Sequence, residues 1–245
     1  MKKLISITLF IILSSVVYCL NFSIAPTGFK IDLNKTITNE ITIINNTNQP
    51  LRLESFSESD KDFGEKYNLN SNITVFPKII SLKPASSQIV RFKVKPSPNM
   101  QDGEYKSYLT FKEIQGKIKT TDSTKINGET NIAIQTEISI SIYGDKGTPN
   151  VKGNLSNLKL NYTGNAITIS ASSFSEGNTS LKFLYSLNIA GSDINSTGLF
   201  GVSARNGERD INLTMEAPEK LKGKKAKLII TDQNGKVYYD KVHTL

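Results

Sequence analysis

Side chains able to do covalent or metal chemistry are few in this chain, and their spacing does not bring them together. The one histidine, His243, lies two residues from the last position, a poor place for a Ser-His-Asp relay or a metal site. The one cysteine, Cys19, closes an apolar N-terminal run. Acids come in short pairs, Asp60 and Asp62 around Lys61 and Asp102 and Glu104 around Gly103, a spacing that suits solvated loops. No Gly-rich loop follows a strand and opens a helix to cradle phosphate. Two carboxylates can run a glycosidase, but nothing selects a pair, and tryptophan is absent. The residues therefore point to a protein with no catalytic side chains, no metal and no cofactor.

Main-chain chemistry is better provided for. Segment 131–142 alternates strictly, with Ile132, Ile134, Thr136, Ile138, Ile140 and Ile142 on one face and Ala133, Gln135, Glu137, Ser139 and Ser141 on the other. One reading is a core strand. The other is an edge strand that offers its isoleucines and its backbone hydrogen bonds to a partner's sheet. The segment before it, 115–130, is long for a loop in a compact sandwich and carries Lys117, Lys119 and Lys125 among Thr, Ser, Asp and Gly.

The elements that must hold this strand are themselves strands. Val90, Phe92 and Val94 alternate with Ile89, Arg91, Lys93 and Lys95, a period of two that asks for one buried and one wet face. Strands are predicted over 22–33, 40–45, 51–57, 72–82, 88–95, 105–114 and 131–143, with no helical period among them. Polar residues 144–150, with Gly144, Gly147 and Pro149, read as a joint between domains. Strands resume over 155–162, 166–172, 181–190, 210–215, 226–232 and 236–242, and Asn234-Gly235 suits a tight hairpin. At 245 residues the chain exceeds one immunoglobulin-like domain, which takes roughly 100. The fold class is all-β, as two immunoglobulin-like β-sandwich domains over 21–145 and 151–245.

Lys2 and Lys3 followed by the apolar run 4–17 read as a signal peptide, residues 1–20, because the run is shorter than the ~20 residues that span a bilayer. The protein is thus expected in the periplasm. Lipidation at Cys19 is the alternative, disfavoured by Tyr18 where a small residue belongs. The formal net charge of +8 is spread along the chain rather than clustered, so it reads as solubility and not as nucleic-acid binding.

The stretch Asp102-Gly103-Glu104-Tyr105-Lys106-Ser107-Tyr108-Leu109-Thr110-Phe111-Lys112-Glu113-Ile114 is similar to the penultimate strand of domain one in the PapD-like pilus chaperones of the chaperone–usher pathway. Phe76-Pro77, Leu82-Lys83-Pro84 and Gln88-Ile89-Val90-Arg91 resemble the family's strand-turn-strand, with Ala85 where it has glycine. Ile41-Thr42-Ile43-Ile44-Asn45-Asn46 resembles its second strand. The resemblance implies a non-enzymatic periplasmic chaperone that donates a strand, here Ile132, Ile134, Thr136 and Ile138, to exported pilin-like subunits. An outer-membrane usher would be a further partner. It also implies interdomain acids at Glu104 and Asp232, in a network whose arginine position holds Tyr143. Surface acids without a partner are nonetheless the preferred reading of these two residues. The family's two basic anchors for a client's terminal carboxylate fall at Gly28 and Ser139, neither of which carries charge. A structural or adhesive cell-surface β-sandwich is the competing reading.

Overall fold

Strands such as Ile37–Asn45 and Ser87–Val94 alternate because two sheets share one dry interior. The computed structural model describes residues 20–114, 135–217 and 220–245. The first part of the chain forms β1 (Phe22–Ala25), β2 (Gly28–Asp32), β3 (Ile37–Asn45), β4 (Leu51–Ser59), β5 (Ile73–Phe76), β6 (Ile79–Leu82), β7 (Ser87–Val94), β8 (Gly103–Glu113) and β9 (Glu137–Lys146), with one short helix, α1 (Lys61–Gly64). One sheet runs β1-β3-β7-β5 and the other β2-β9-β8-β4-β6. Between them lie Phe22, Ile41, Leu53, Val90, Phe92, Leu109, Phe111 and Ile140 from both sheets. Phe92 meets Phe29 edge-on, with ring centroids 4.9 Å apart.

Two segments read as single strands are each split between the sheets. Residues 22–33 become β1, antiparallel to β3, and β2, parallel to β9. Residues 72–82 become β5 on β7 and β6 on β4. Both breaks fall at a proline, Pro26 and Pro77, which has no N–H to continue a ladder. Each strand therefore changes partner there and helps close the side of the sandwich.

The absence of any helix in the sequence reading is corrected by α1. Asp60 caps it, its carboxylate accepting hydrogen bonds from the backbone N–H of Asp62 at 3.0 Å and of Phe63 at 3.1 Å. Asp60 is accordingly buried and not solvated.

Ala85 occupies the turn between β6 and β7 with φ at +48°, where the sequence comparison expects glycine. The left-handed conformation costs an L-residue about 1–2 kcal/mol, partly offset by glycine's larger entropy loss of about 0.5–1 kcal/mol. Ala85→Gly is therefore expected to raise stability by about 0.5–1 kcal/mol and Tm by a few degrees. A lower Tm on thermal unfolding would show that this turn stores no such strain.

The second sandwich is built from β10 (Gly153–Tyr162), β11 (Ala166–Ser175), β12 (Lys182–Ile189), β13 (Asn195–Val202), β14 (Gly207–Glu216), β15 (Lys225–Asp232) and β16 (Val237–Thr244). Its sheets run β10-β11-β14 and β13-β12-β15-β16 over a core of Ile167, Ile169, Phe183, Leu187, Phe200, Leu228 and Ile230. Strand β13 is an addition to the sequence reading. Its sequence, NSTGLFGV, has two glycines and no clean alternation. The β15–β16 hairpin turns at Asn234-Gly235 with only Gly235 at positive φ (+84°). A register shift follows, where Ile230 faces Tyr239 and Thr231 faces Val237.

Candidate functional site

Strand β9 is the element on which the sequence reading concentrates, and it is covered unequally on its two edges. On one side β8 pairs with it along its full length, from Lys112 opposite Glu137 to Gly103 opposite Lys146. On the other side β2 pairs only with Ser141 to Asp145. Among the described residues, the outer edge of Glu137, Ser139 and their neighbours up to Ile140 therefore has no strand beside it.

The side chains divide as the alternation demands. Ile140 and Ile142 are fully buried, and Ile138 packs against the same core from a partly exposed position. Thr136 lies just before β9; its carbonyl accepts the N–H of Glu113 at 3.0 Å, so it extends the pairing with β8. Ile132 and Ile134 lie outside the described residues. On the opposite face, Ser139 shares a hydrogen bond of 2.8 Å with Thr110, whose hydroxyl also reaches Glu58 at 2.7 Å. Gly28 stands in register with Ser141, and a Cβ there would come within 2.8 Å of the Ser141 hydroxyl. No cation occupies either position. The neighbouring Lys30 is committed to Asp145, with Nζ 2.9 Å from the carboxylate.

A cleft of about 730 Å³ opens between the domains, walled by Lys61, Lys106 and Tyr143 on one side and Leu199, Phe200 and Arg209 on the other. Lys106 is its most unusual member, because its side chain is only 9 % exposed and its ammonium sits 2.6 Å from the equally buried Asp60. Tyr108 completes the triangle, bonding Lys106 Nζ at 3.0 Å and Asp60 at 3.1 Å. Burial alone would lower the Lys106 pKa, but the hydrogen bonds it donates to Asp60 and Tyr108 outweigh it and hold the group well above its usual range. Burial likewise opposes ionisation of Asp60, yet Lys106 keeps its carboxyl below the ordinary value. The two ammonium groups of Lys106 and Lys182, one from each domain, approach the Tyr143 ring at 5.0 and 5.7 Å. Where the resemblance places an arginine, this chain thus has an aromatic face that receives cations.

The two acids suggested for the domain interface differ in role. Glu104 is 3 % exposed and crosses the boundary, accepting from the Ser180 N–H at 2.9 Å and from its hydroxyl. Asp232 turns into its own hairpin, accepting from the N–H groups of Asn234 and Lys236 and the hydroxyl of Tyr238. It holds the β15–β16 turn; burial, with the Asp232 carboxylate beside it, pushes the Tyr238 phenol up to about 12. The boundary residue that sequence reasoning missed is Arg205, 2 % exposed, from the segment between β13 and β14. Its backbone N–H donates to Phe63 at 2.9 Å and its Nη2 to the Asp102 carbonyl at 2.7 Å, both in the first domain. Among the described residues no three His, Cys, Asp or Glu side chains gather as metal ligands.

Two sandwiches thus meet at a cleft, and strand β9 of the first leaves part of one edge without a strand beside it among the described residues. The family model for pili and flagellar-assembly chaperones, PapD N-terminal domain, matches residues 22–143. The chain belongs to this family of assembly chaperones, which are not enzymes. No curated protein matches it in sequence. Solved structures with a similar fold include the YadV chaperone, 12 % identical over 92 % of this chain and 100 % of that one, with a TM-score of 0.49. The E. coli chaperone DraB is 16 % identical over 92 % and 98 %, TM-score 0.47. The Salmonella enterica SafA pilin–SafB chaperone complex is 14 % identical over 94 % and 99 %, TM-score 0.47.

Proposed function

We propose that this protein is a periplasmic chaperone for exported pilin-like subunits, and that it binds them by adding a strand to their unfinished sheet. The observation that carries this reading is the edge of β9. Strand β2 stops at the register of Ser141, which leaves Glu137 to Ile140 with backbone donors and acceptors on one side and, among the described residues, no strand to take them. The isoleucine alternation continues in sequence through Ile134 and Ile132, on the same parity as the core-facing Ile138. Residues 1–20 are read as the export signal, and 21–145 and 151–245 as the two domains. An outer-membrane usher is a further partner in this reading.

The test is co-expression with pilin-like subunits encoded beside this protein, followed by size-exclusion chromatography. A one-to-one complex is the expected result. Ile132→Asp and Ile134→Asp should each abolish the complex while leaving a monomer with an unchanged circular dichroism spectrum. Formation of the complex by both variants at undiminished yield would overturn strand addition through these residues. The competing reading, a structural or adhesive surface protein, draws support from Gly28 and Ser139, where the family's carboxylate anchors are missing. Failure of every co-expressed subunit to bind would favour it.

A further inference from the structure

The geometry around Arg205 points to a latch: we propose that Arg205 is the positioning residue that fixes the angle between the two domains and makes them unfold as one unit. Its guanidinium lies 3.6 Å above the Tyr67 ring centroid and 4.9 Å from that of Tyr105, both belonging to the first domain. Its Nε donates to the Asn178 carbonyl at 2.9 Å within its own domain, while Nη2 and the backbone N–H reach across to Asp102 and Phe63. One side chain thus holds its own domain through Nε and the first domain through Nη2 and two aromatic faces.

This is a costly way to bury a charge unless the charge does something. No carboxylate lies within ion-pair distance of Arg205 among the described residues, and its buried Nη1 has no hydrogen-bond partner. Compensation comes from the ring faces and from two carbonyls, which suit a planar, weakly hydrated guanidinium and would not suit an ammonium. The surroundings are organised for the same purpose. Asn178, whose carbonyl accepts from Arg205, also accepts from the Glu104 N–H at 2.8 Å across the boundary. The Asn178 side chain bonds the joint itself, at Thr148 and Asn150.

The position of the latch also bears on the cleft. Arg205 follows closely on β13, whose residues Leu199, Phe200, Gly201 and Val202 form one wall. The facing wall carries Lys106 and Tyr143, on the two strands next to the open edge. Releasing the Arg205 side chain leaves its backbone bond to Phe63, the bonds of Glu104 to Asn178 and Ser180, Arg209–Asp62 and the Lys182–Tyr143 contact between the walls.

The test uses the full chain with Arg205→Lys, which keeps the charge and loses the plane and the fork. The unaltered protein should give one calorimetric unfolding transition, with agreement between calorimetric and van't Hoff enthalpies. Arg205→Lys should split that transition in two, broaden the distance distribution in small-angle X-ray scattering, and speed proteolysis within residues 147–150 about tenfold. A single transition at lower Tm, with unchanged scattering and cleavage, would overturn the latch and leave Arg205 as ordinary packing. Should Arg205→Lys not fold, Tyr67→Leu at the half-buried rim removes one ring face from the first domain alone. It must produce the same splitting, and a single transition there also overturns the proposal.

Discussion

Asp60→Asn is expected to destabilise the first domain by about 3–5 kcal/mol at neutral pH, the usual cost of leaving one partner of a buried ion pair alone. Asparagine caps helices about as well as aspartate, so the bonds to the Asp62 and Phe63 amides survive the change. What disappears is the negative charge 2.6 Å from Lys106. The pH dependence separates this account from simple loss of packing. In the unaltered protein the depressed Asp60 carboxyl contributes stability that is present above its unfolded value near 3.8 and is lost as pH falls through the folded one. The raised Lys106 ammonium contributes below 10.5, and its share is lost only as pH rises through a still higher folded value. Stability owed to the pair is therefore flat between these limits. In Asp60→Asn the burial of Lys106 is no longer opposed by a carboxylate. The unfolded state then binds the proton more tightly, and stability should climb as pH rises toward 10. Denaturant titrations at pH 5, 7 and 9.5 read this directly, and the Asp60→Asn/Lys106→Met double variant should recover much of the loss. A cost below about 1 kcal/mol, unchanged with pH, would mean that the pair is worth no more than a surface bridge.

The features that could be read from the sequence are those whose cause is local. The period of two in β7 and β9 follows from a pleated strand with one dry face, and Ile140, Ile142, Val90 and Phe92 are buried as that period requires. Export, by contrast, rests on residues 1–20, most of which lie outside the described residues. The splits at Pro26 and Pro77 were also written locally, in a missing N–H, but a strand that switches sheets looks continuous when only alternation is counted. Strand β13 is hidden by Gly198 and Gly201, whose places are set by Tyr185 and Ile211 on neighbouring strands rather than by any pattern of their own. The site's polar partnerships were not legible at all. Asp60 and Lys106 are 46 positions apart, and Glu104 and Ser180 are 76. No spacing rule links residues that meet only after the sheets and then the domains have packed. Arg205 had one weak signal, an arginine in a short connection otherwise made of small and polar residues, Ser203-Ala204 before it and Asn206 after. Its aromatic seat comes from Tyr67 and Tyr105, and nothing near Arg205 in sequence announces them.

Gly103→Ala should cost about 3–5 kcal/mol although it adds a single methyl group, and much of that cost should depend on Arg205. Gly103 opens β8 with φ at +128°, a conformation that strains any L-residue by about 1–3 kcal/mol. A Cβ there would also lie 2.4 Å from Arg205 Nη2 and 2.4 Å from the Asn178 carbonyl. Neither neighbour is free to retreat. The carbonyl is held by the N–H of Glu104 and by Arg205 Nε, and the guanidinium is fixed between Tyr67 and the Asp102 carbonyl. Overpacking of this kind costs about 1–3 kcal/mol beyond the backbone strain. The two contributions can be told apart by a double-mutant cycle. With Arg205→Ala the Nη2 clash is gone, but the φ strain and the Asn178 contact remain. The cost of Gly103→Ala should then fall by about 1 kcal/mol or more relative to its cost in the unaltered protein. Strict additivity, within about 0.3–0.5 kcal/mol, would place the whole effect in the backbone of Gly103. In that case the close approach of Arg205 would not be what requires a glycine at the boundary.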